Sequence, residues 1–327
     1  MWKKRAFFIT AAVLCAMILS ACSARTRDGE KDGNEGKRSE FVLPEDIRLN
    51  AAGVPQLKVY IKDEKITRVM DAEEYVCGVL AGEMRNDWPE EALKAQAILA
   101  RTFVVKFITE KHSKYDGADI STDIEEAQAY NAEGINDRIR AAAEATRGQI
   151  VCYAGEPIYA WFHAHSGGRT ANAEEGLSYK KEAPYTQSVE SAESGEAPDD
   201  TAEWSAEFTQ QQVIAAAADI GVSLGDEVRS VSHGAKGESG RMKTIRVNGT
   251  EIPVNEFRIA IGSTEMKSTW ITGLTYEDGL LKMSGKGYGH GVGMSQWGAY
   301  EMAEKGKNAE DIINMYFQNV DIVQIWK

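Results

Sequence analysis

Apolar residues recur every three or four positions over two adjoining stretches, and these predict a pair of helices. In residues 71–84, DAEEYVCGVLAGEM, the stripe is Tyr75, Val76, Val79 and Leu80. Asp71 followed by Glu74 is a variant of a capping box and sets the helix start. Continued by one turn, the stripe reaches Glu83, which lies i+4 from Val79 and i+3 from Leu80. Burial raises a carboxyl pKa, and a raised pKa makes Glu a proton donor near neutral pH. The alternative is a frayed end with Glu83 in water, since Gly82 weakens the last turn. The next helix opens at Pro89 with Glu90 and Glu91 at its positive end. Leu93, Ala100, Phe103 and Phe107 form its buried stripe, Gln96 falls on the same stripe, and Arg101 borders it. A polar amide at that position needs a partner, which is either a core neighbour or Glu83 and its ligand.

Elsewhere the pattern alternates or breaks. Strands are predicted at 56–62, 65–70, 149–153, 157–164, 228–233, 242–247 and 280–284, with Asn248-Gly249 as a hairpin turn. Helices are predicted at 71–83, 89–111, 136–146, 207–220, 295–305 and 309–317. The two kinds of element do not alternate regularly, which favours α+β: mixed helices and antiparallel strands around a groove. No repeat of fixed period is present. Residues 186–205 are acidic and rich in Ser and Ala, and predict a mobile surface loop.

The N-terminus changes the setting. Lys3, Lys4 and Arg5 precede an apolar run at 7–19 that ends in Leu19-Ser20-Ala21-Cys22. This reads as a signal peptide over 1–21. Its end resembles the bacterial lipobox, which implies cleavage before Cys22 and lipidation of that cysteine. Two acyl chains suffice for stable anchoring. An ordinary signal anchor with an incidental Cys22 is the alternative, and both place the chain outside the cytoplasm at the membrane. Residues 22–45 read as a disordered linker, and 46–327 as the folded domain. Loss of Lys3, Lys4 and Arg5 takes the formal charge from −13 to −16. So acidic a chain is no nucleic-acid binder, and an anionic ligand must be held by local contacts. Cys77 and Cys152 would be the only thiols left free, too few for a disulfide scaffold.

Residues 287–299, GYGHGVGMSQWGA, carry most of the remaining chemistry. No frame gives a phosphate-binding glycine spacing. Glycine lets a ligand approach the main chain, and Tyr288, His290, Ser295, Gln296 and Trp297 are types that grip a polyhydroxylated ligand. A structural turn into the following helix is the alternative reading. Gly289 and Gly291 are the expected points of close approach.

Five segments in order, EEYVCGVLAGEM, WPEEALKAQAILARTF, FHAHSGGRT, SGRMKTIRVNG and GYGHGVGMSQWGA, resemble the stage II sporulation protein D family (SpoIID). The resemblance runs from about residue 56 to the C-terminus. It implies a lytic transglycosylase acting on peptidoglycan glycan strands during engulfment, beside a partner cell-wall amidase. It places the catalytic glutamate at Glu83; by analogy and by residue type, Gln96, Arg101, Ser166, Gly167, Gly168 and the Gly-rich segment are expected to line the substrate groove. Such an enzyme needs one carboxyl. The acid protonates the glycosidic oxygen, and its carboxylate then takes the C6 hydroxyl proton as a 1,6-anhydro ring closes. Some relatives hold zinc through Cys and His, whereas the matching segment here, residues 125–130, reads EEAQAY. No cofactor is therefore expected. Two further readings stay open: a non-catalytic glycan-binding enhancer of an amidase, and a zinc hydrolase built on His163, His165 and Cys152.

Overall fold

The computed structural model describes residues 41–45 and 47–327. The predicted signal peptide, Cys22 and the linker up to residue 40 lie outside the described residues. β1 (Gln56–Ile61) and β2 (Ile66–Asp71) pair as an antiparallel hairpin that buries Leu57, Val59 and Met70. β2 runs directly into α1 (Ala72–Glu83), where the Asp71 carboxylate accepts the Glu74 N–H at 2.8 Å. That side-chain bond satisfies a backbone donor which has no partner within the helix.

α2 (Glu90–Glu110) is the central element, with Leu93, Ile98, Leu99 and Val104 fully buried. It packs against α1, against α3 (Asp137–Ala145) and against β4 (Gln149–Tyr153). The short β3 (Ile120–Ser121) adds to β1 in parallel. β5 (Glu156–Pro157), β6 (Phe162–His163) and α4 (Ala173–Leu177) follow β4. A single strand over 157–164 does not form, because Trp161 N–H closes a tight turn on the Tyr159 carbonyl at 2.9 Å.

From here the chain leaves for a second apolar core. α5 (Asp199–Ala202) leads into β7 (Glu203–Thr209), which buries Trp204, Ala206 and Phe208 on one face. α6 (Gln210–Asp219) therefore starts three residues later than the pattern predicted, behind a full capping box at Thr209. β8 (Val231–His233), β9 (Thr244–Val247) and β10 (Thr250–Pro253) make one antiparallel sheet. Its Asn248-Gly249 turn has φ of 53° and 81°, the signs a type I′ hairpin requires. After α7 (Val254–Ile261), β11 (Ile271–Glu277) and β12 (Leu280–Lys286) join β7 in a second sheet. This core, from Trp204 to Met283, is separate from the larger one around α2.

The chain then returns. β13 (Met294–Ser295) pairs in parallel with β6 and leads into α8 (Gln296–Glu304) and α9 (Ala309–Tyr316). β14 (Asp321–Gln324) closes on β4. The class is α+β, with β1–β3 and β6–β13 as parallel exceptions to the antiparallel pairing. Residues 186–205 are no loose loop. Thr186, Ser191 and Ser194 are buried, and backbone bonds tie Thr170 to Val189 and Ser191 to Gly168.

Candidate active site

α1 carries two glycines one turn apart, and the segment 129–131 lies against them. A Cβ at Gly82 would stand 2.6 Å from the Ala129 carbonyl, and one at Gly78 would meet the Tyr130 ring at 2.1 Å. Asn131 N–H donates to the Gly78 carbonyl at 2.9 Å. This close approach brings the Ala129 N–H to 2.7 Å from Glu83 Oε1. Glu83 is 3% exposed, and its Oε2 has no partner. Burial pushes the carboxyl up to about 7, against a smaller downward pull from the Ala129 N–H. Glu83 is thus not the solvated end of its helix.

Gln296, at the first turn of α8, reaches back across the fold and donates to the Glu83 carbonyl at 3.1 Å. Gln96 is fully buried on α2 with neither amide atom paired. Gln128, next to Ala129, is in the same condition. Buried amides without a partner are uncommon; Gln96 lies on the helix that packs against α1, and Gln128 precedes the residue whose N–H holds Glu83.

The Gly-rich segment behaves differently from the expectation of a ligand-lined loop. Tyr288, His290, Ser295, Gln296 and Trp297 are all buried, none more than 7% exposed. Trp297 packs on Trp88 with ring centroids 4.5 Å apart, so it offers no face to a ligand. Tyr288 pairs its backbone with His165 at 2.8 and 3.0 Å, while its hydroxyl is buried and unpaired. Gly289 and Gly291 have φ of 110° and 80°. A Cβ there would meet the His163 side chain at 2.7 Å and the Arg241 guanidinium at 2.5 Å. The bare backbone at these positions makes room for protein side chains. The Ser166-Gly167-Gly168 donors are likewise used internally. Ser166 N–H goes to Glu193, Gly167 N–H to His165 Nδ1, and Gly168 N–H to Ser166 Oγ.

Two residues that sequence reasoning passed over organise this region. Glu193 accepts from Ser166 N–H at 3.1 Å, from Ser166 Oγ, and from Ser295 Oγ at 2.7 Å. It lay unread within the supposed acidic loop. Arg241 enters from the second lobe, fully buried, and donates to the Ser166 carbonyl at 2.6 Å and the Arg169 carbonyl at 2.7 Å. Burial lowers its pKa to about 10. Ser239, two residues before it, is held by Glu175. The only sequence signal for Arg241 was its place in SGRMKTIRVNG.

Arg101 requires a correction. It is fully buried and forks onto Glu73 at 2.9 and 2.7 Å, with its remaining donors on the Gln149 and Ala143 carbonyls. Glu73 also takes the Gly148 N–H at 3.0 Å and the Trp326 indole N–H at 2.7 Å. This is a structural knot joining α1, α2 and the C-terminus, and it leaves no donor for a ligand. The residues of the zinc reading are not gathered into a site. His163 Nδ1 faces the Val292 carbonyl at 3.1 Å with Nε2 buried and unpaired, His165 Nδ1 accepts from Gly167, and the Cys152 thiol is pushed up to about 12 by burial within β4. Among the described residues no three His, Cys, Asp or Glu side chains come together as metal ligands.

Residues 60–153, from the end of β1 through β4, match the family model described as SpoIID, stage II sporulation protein. The chain is 33% identical to stage II sporulation protein D of Bacillus amyloliquefaciens over 298 residues, covering 84% of this chain and 83% of that one. The chain belongs to the stage II sporulation protein D family. The Bacillus subtilis stage II sporulation protein D is 29% identical, with 97% of this chain and 95% of that relative covered. An amidase enhancer of Bacillus subtilis is 27% identical over 73% of this chain and 39% of its own length. Within this SpoIID chain the family match encloses Glu83, Gln96 and Ala129 together. The Gly-rich segment, whose Gln296 donates to the Glu83 carbonyl, lies outside it.

Proposed function

We propose that this SpoIID chain is an extracytoplasmic lytic transglycosylase that cleaves peptidoglycan glycan strands, with Glu83 as general acid and then general base. The observation that carries the reading is the Glu83 carboxyl itself. It is buried and raised to about 7, with one oxygen held by Ala129 and the other unpaired. The held oxygen fixes the group, and the other is left to protonate a glycosidic oxygen. As that C1–O bond breaks, the carboxylate takes the proton of the C6 hydroxyl, and O6 closes on C1 of the same N-acetylmuramic acid. The attacking oxygen belongs to the substrate, so neither water nor a second acid takes part. Lipidation of Cys22 would hold the enzyme on the outer face of the membrane.

Glycan strands incubated with the protein should yield 1,6-anhydro ends by mass spectrometry. Glu83→Gln should bind strands and release about 10²–10⁴-fold less product. Ordinary reducing ends would mean hydrolysis by water and defeat the mechanism. The likeness to an amidase enhancer supports a second reading, a glycan-binding activator of a wall amidase. That reading predicts binding without any glycan product from the unaltered protein.

A further inference from the structure

A pocket of about 430 Å³ lies where the two lobes meet. One wall is the Gly167-Gly168-Arg169 turn, and the other is Trp270 and Lys286 from the second lobe. The Lys286 ammonium stands 4.1 Å from the centroid of the Trp270 ring. Among the described residues no carboxylate comes within ion-pair distance of it. Its register partner on β7 is Glu203, which makes no ion pair with it, so the Lys286 charge is left without a carboxylate in contact in a chain of formal charge −13. Arg169 does have a partner, Glu190 at 2.8 Å, but the two side chains are 37% and 84% exposed. A pair so open to water is weak and exchangeable.

The pocket is also tied to Glu83 by a continuous run of contacts. The turn's Ser166 is held by Glu193, Glu193 holds Ser295 at 2.7 Å, and the next residue, Gln296, donates to the Glu83 carbonyl at 3.1 Å.

We propose that this pocket is a carboxylate subsite for the glycan strand, with Lys286 as the holder, Trp270 as the wall behind it, and Arg169 released from Glu190 to assist. The inference rests on the glycan reading above and adds a charged group to what the site recognises. A strand offers that chemistry from two sources: the lactyl carboxylate of a muramic acid without its peptide, or a carboxylate within a stem peptide. A compact ammonium suits either as a point charge.

The test uses the full-length chain carrying Glu83→Gln, so that ligands are not turned over, and titration calorimetry. Four probes are compared: chitotetraose, a GlcNAc–MurNAc tetrasaccharide with free lactyl carboxylates, its lactyl methylamide, and the same tetrasaccharide bearing stem peptides. The free acid or the peptide-bearing form should bind about tenfold or more tighter than the methylamide, the effect of one charge-assisted hydrogen bond. Whichever binds tighter identifies the source. The preference should shrink at high salt, because the pocket is open, and should disappear in Lys286→Met. Equal binding of the methylamide and both acidic forms, or a preference that survives Lys286→Met, would overturn the subsite while chitotetraose binding left the glycan reading standing. No binding of any probe would remove both.

Discussion

Glu83→Gln tests the electrostatics of the site independently of any substrate. The carboxyl rises from an ordinary 4.5 to about 7 on folding, because burial disfavours its charged form. Below pH 4.5 the group is protonated in both folded and unfolded chains and contributes no difference. As pH rises towards about 7 the unfolded chain ionises freely while the folded one resists, so stability is lost. Above pH 7 the native state carries a buried carboxylate and the loss is complete. At 1.36 kcal/mol per pH unit the full loss is about 3 kcal/mol. Gln keeps the size of the side chain and can still accept from Ala129, but it does not titrate. Its amide nitrogen replaces the unpaired oxygen, which adds an offset of about 1–3 kcal/mol that is the same at every pH. The diagnostic is therefore the change in the difference between the two proteins. Urea melts at pH 4.5 and pH 8 should show Glu83→Gln gaining about 3 kcal/mol relative to the unaltered chain on going to pH 8. All other titrating groups are common to both and cancel. Parallel pH profiles would show that Glu83 ionises as it does in water, and the acid role would fall with it. In the same range, the glycan-cleaving activity of the unaltered protein should decline as pH rises past about 7, since the acid form is competent for the first step.

Further outcomes follow from the packing. Gly82→Ala places a Cβ 2.6 Å from the Ala129 backbone, which has no flexible side chain to yield. It should cost about 1–3 kcal/mol in melts despite alanine's better helix propensity, and should lower activity by moving the Glu83 donor. A more stable Gly82→Ala protein would show that segment 129–131 gives way. Arg101→Ala strands the buried Glu73 carboxylate and should destabilise by about 3–5 kcal/mol, with any remaining folded protein binding glycan normally. Selective loss of binding at full stability would restore Arg101 as a ligand contact. Cys22→Ser should leave an unprocessed precursor on immunoblots, whereas normal cleavage and release from membranes would indicate an ordinary signal peptide.

Much of the framework was legible along the chain. The period that runs from Tyr75 to Leu80 continues onto Glu83, and the side chain is buried as that pattern requires. Asn248-Gly249 specified its hairpin because φ > 0 at both positions excludes most other residues. The same signal stands at Asp278-Gly279, with φ of 54° and 79°, and points to strands on both sides, whereas the sequence pattern predicted only the one at 280–284. Alternation in Trp204, Ala206 and Phe208 likewise marked β7 and was overrun by the helical pattern that follows. What one-dimensional pattern could not supply was the partner of each polar group. Gly289 and Gly291 look like openings for a ligand until the fold brings His163 and Arg241 against them. Arg101 looks available until Glu73, 28 residues earlier, closes on it. Glu193 looks like one more surface acid until Ser166 and Ser295 converge on it from elements 27 and 102 residues away. Local periodicity reports which face of an element is buried, because that depends on neighbours three or four residues apart. Whether a buried polar atom is satisfied or left free for chemistry depends on groups that only the tertiary fold brings together.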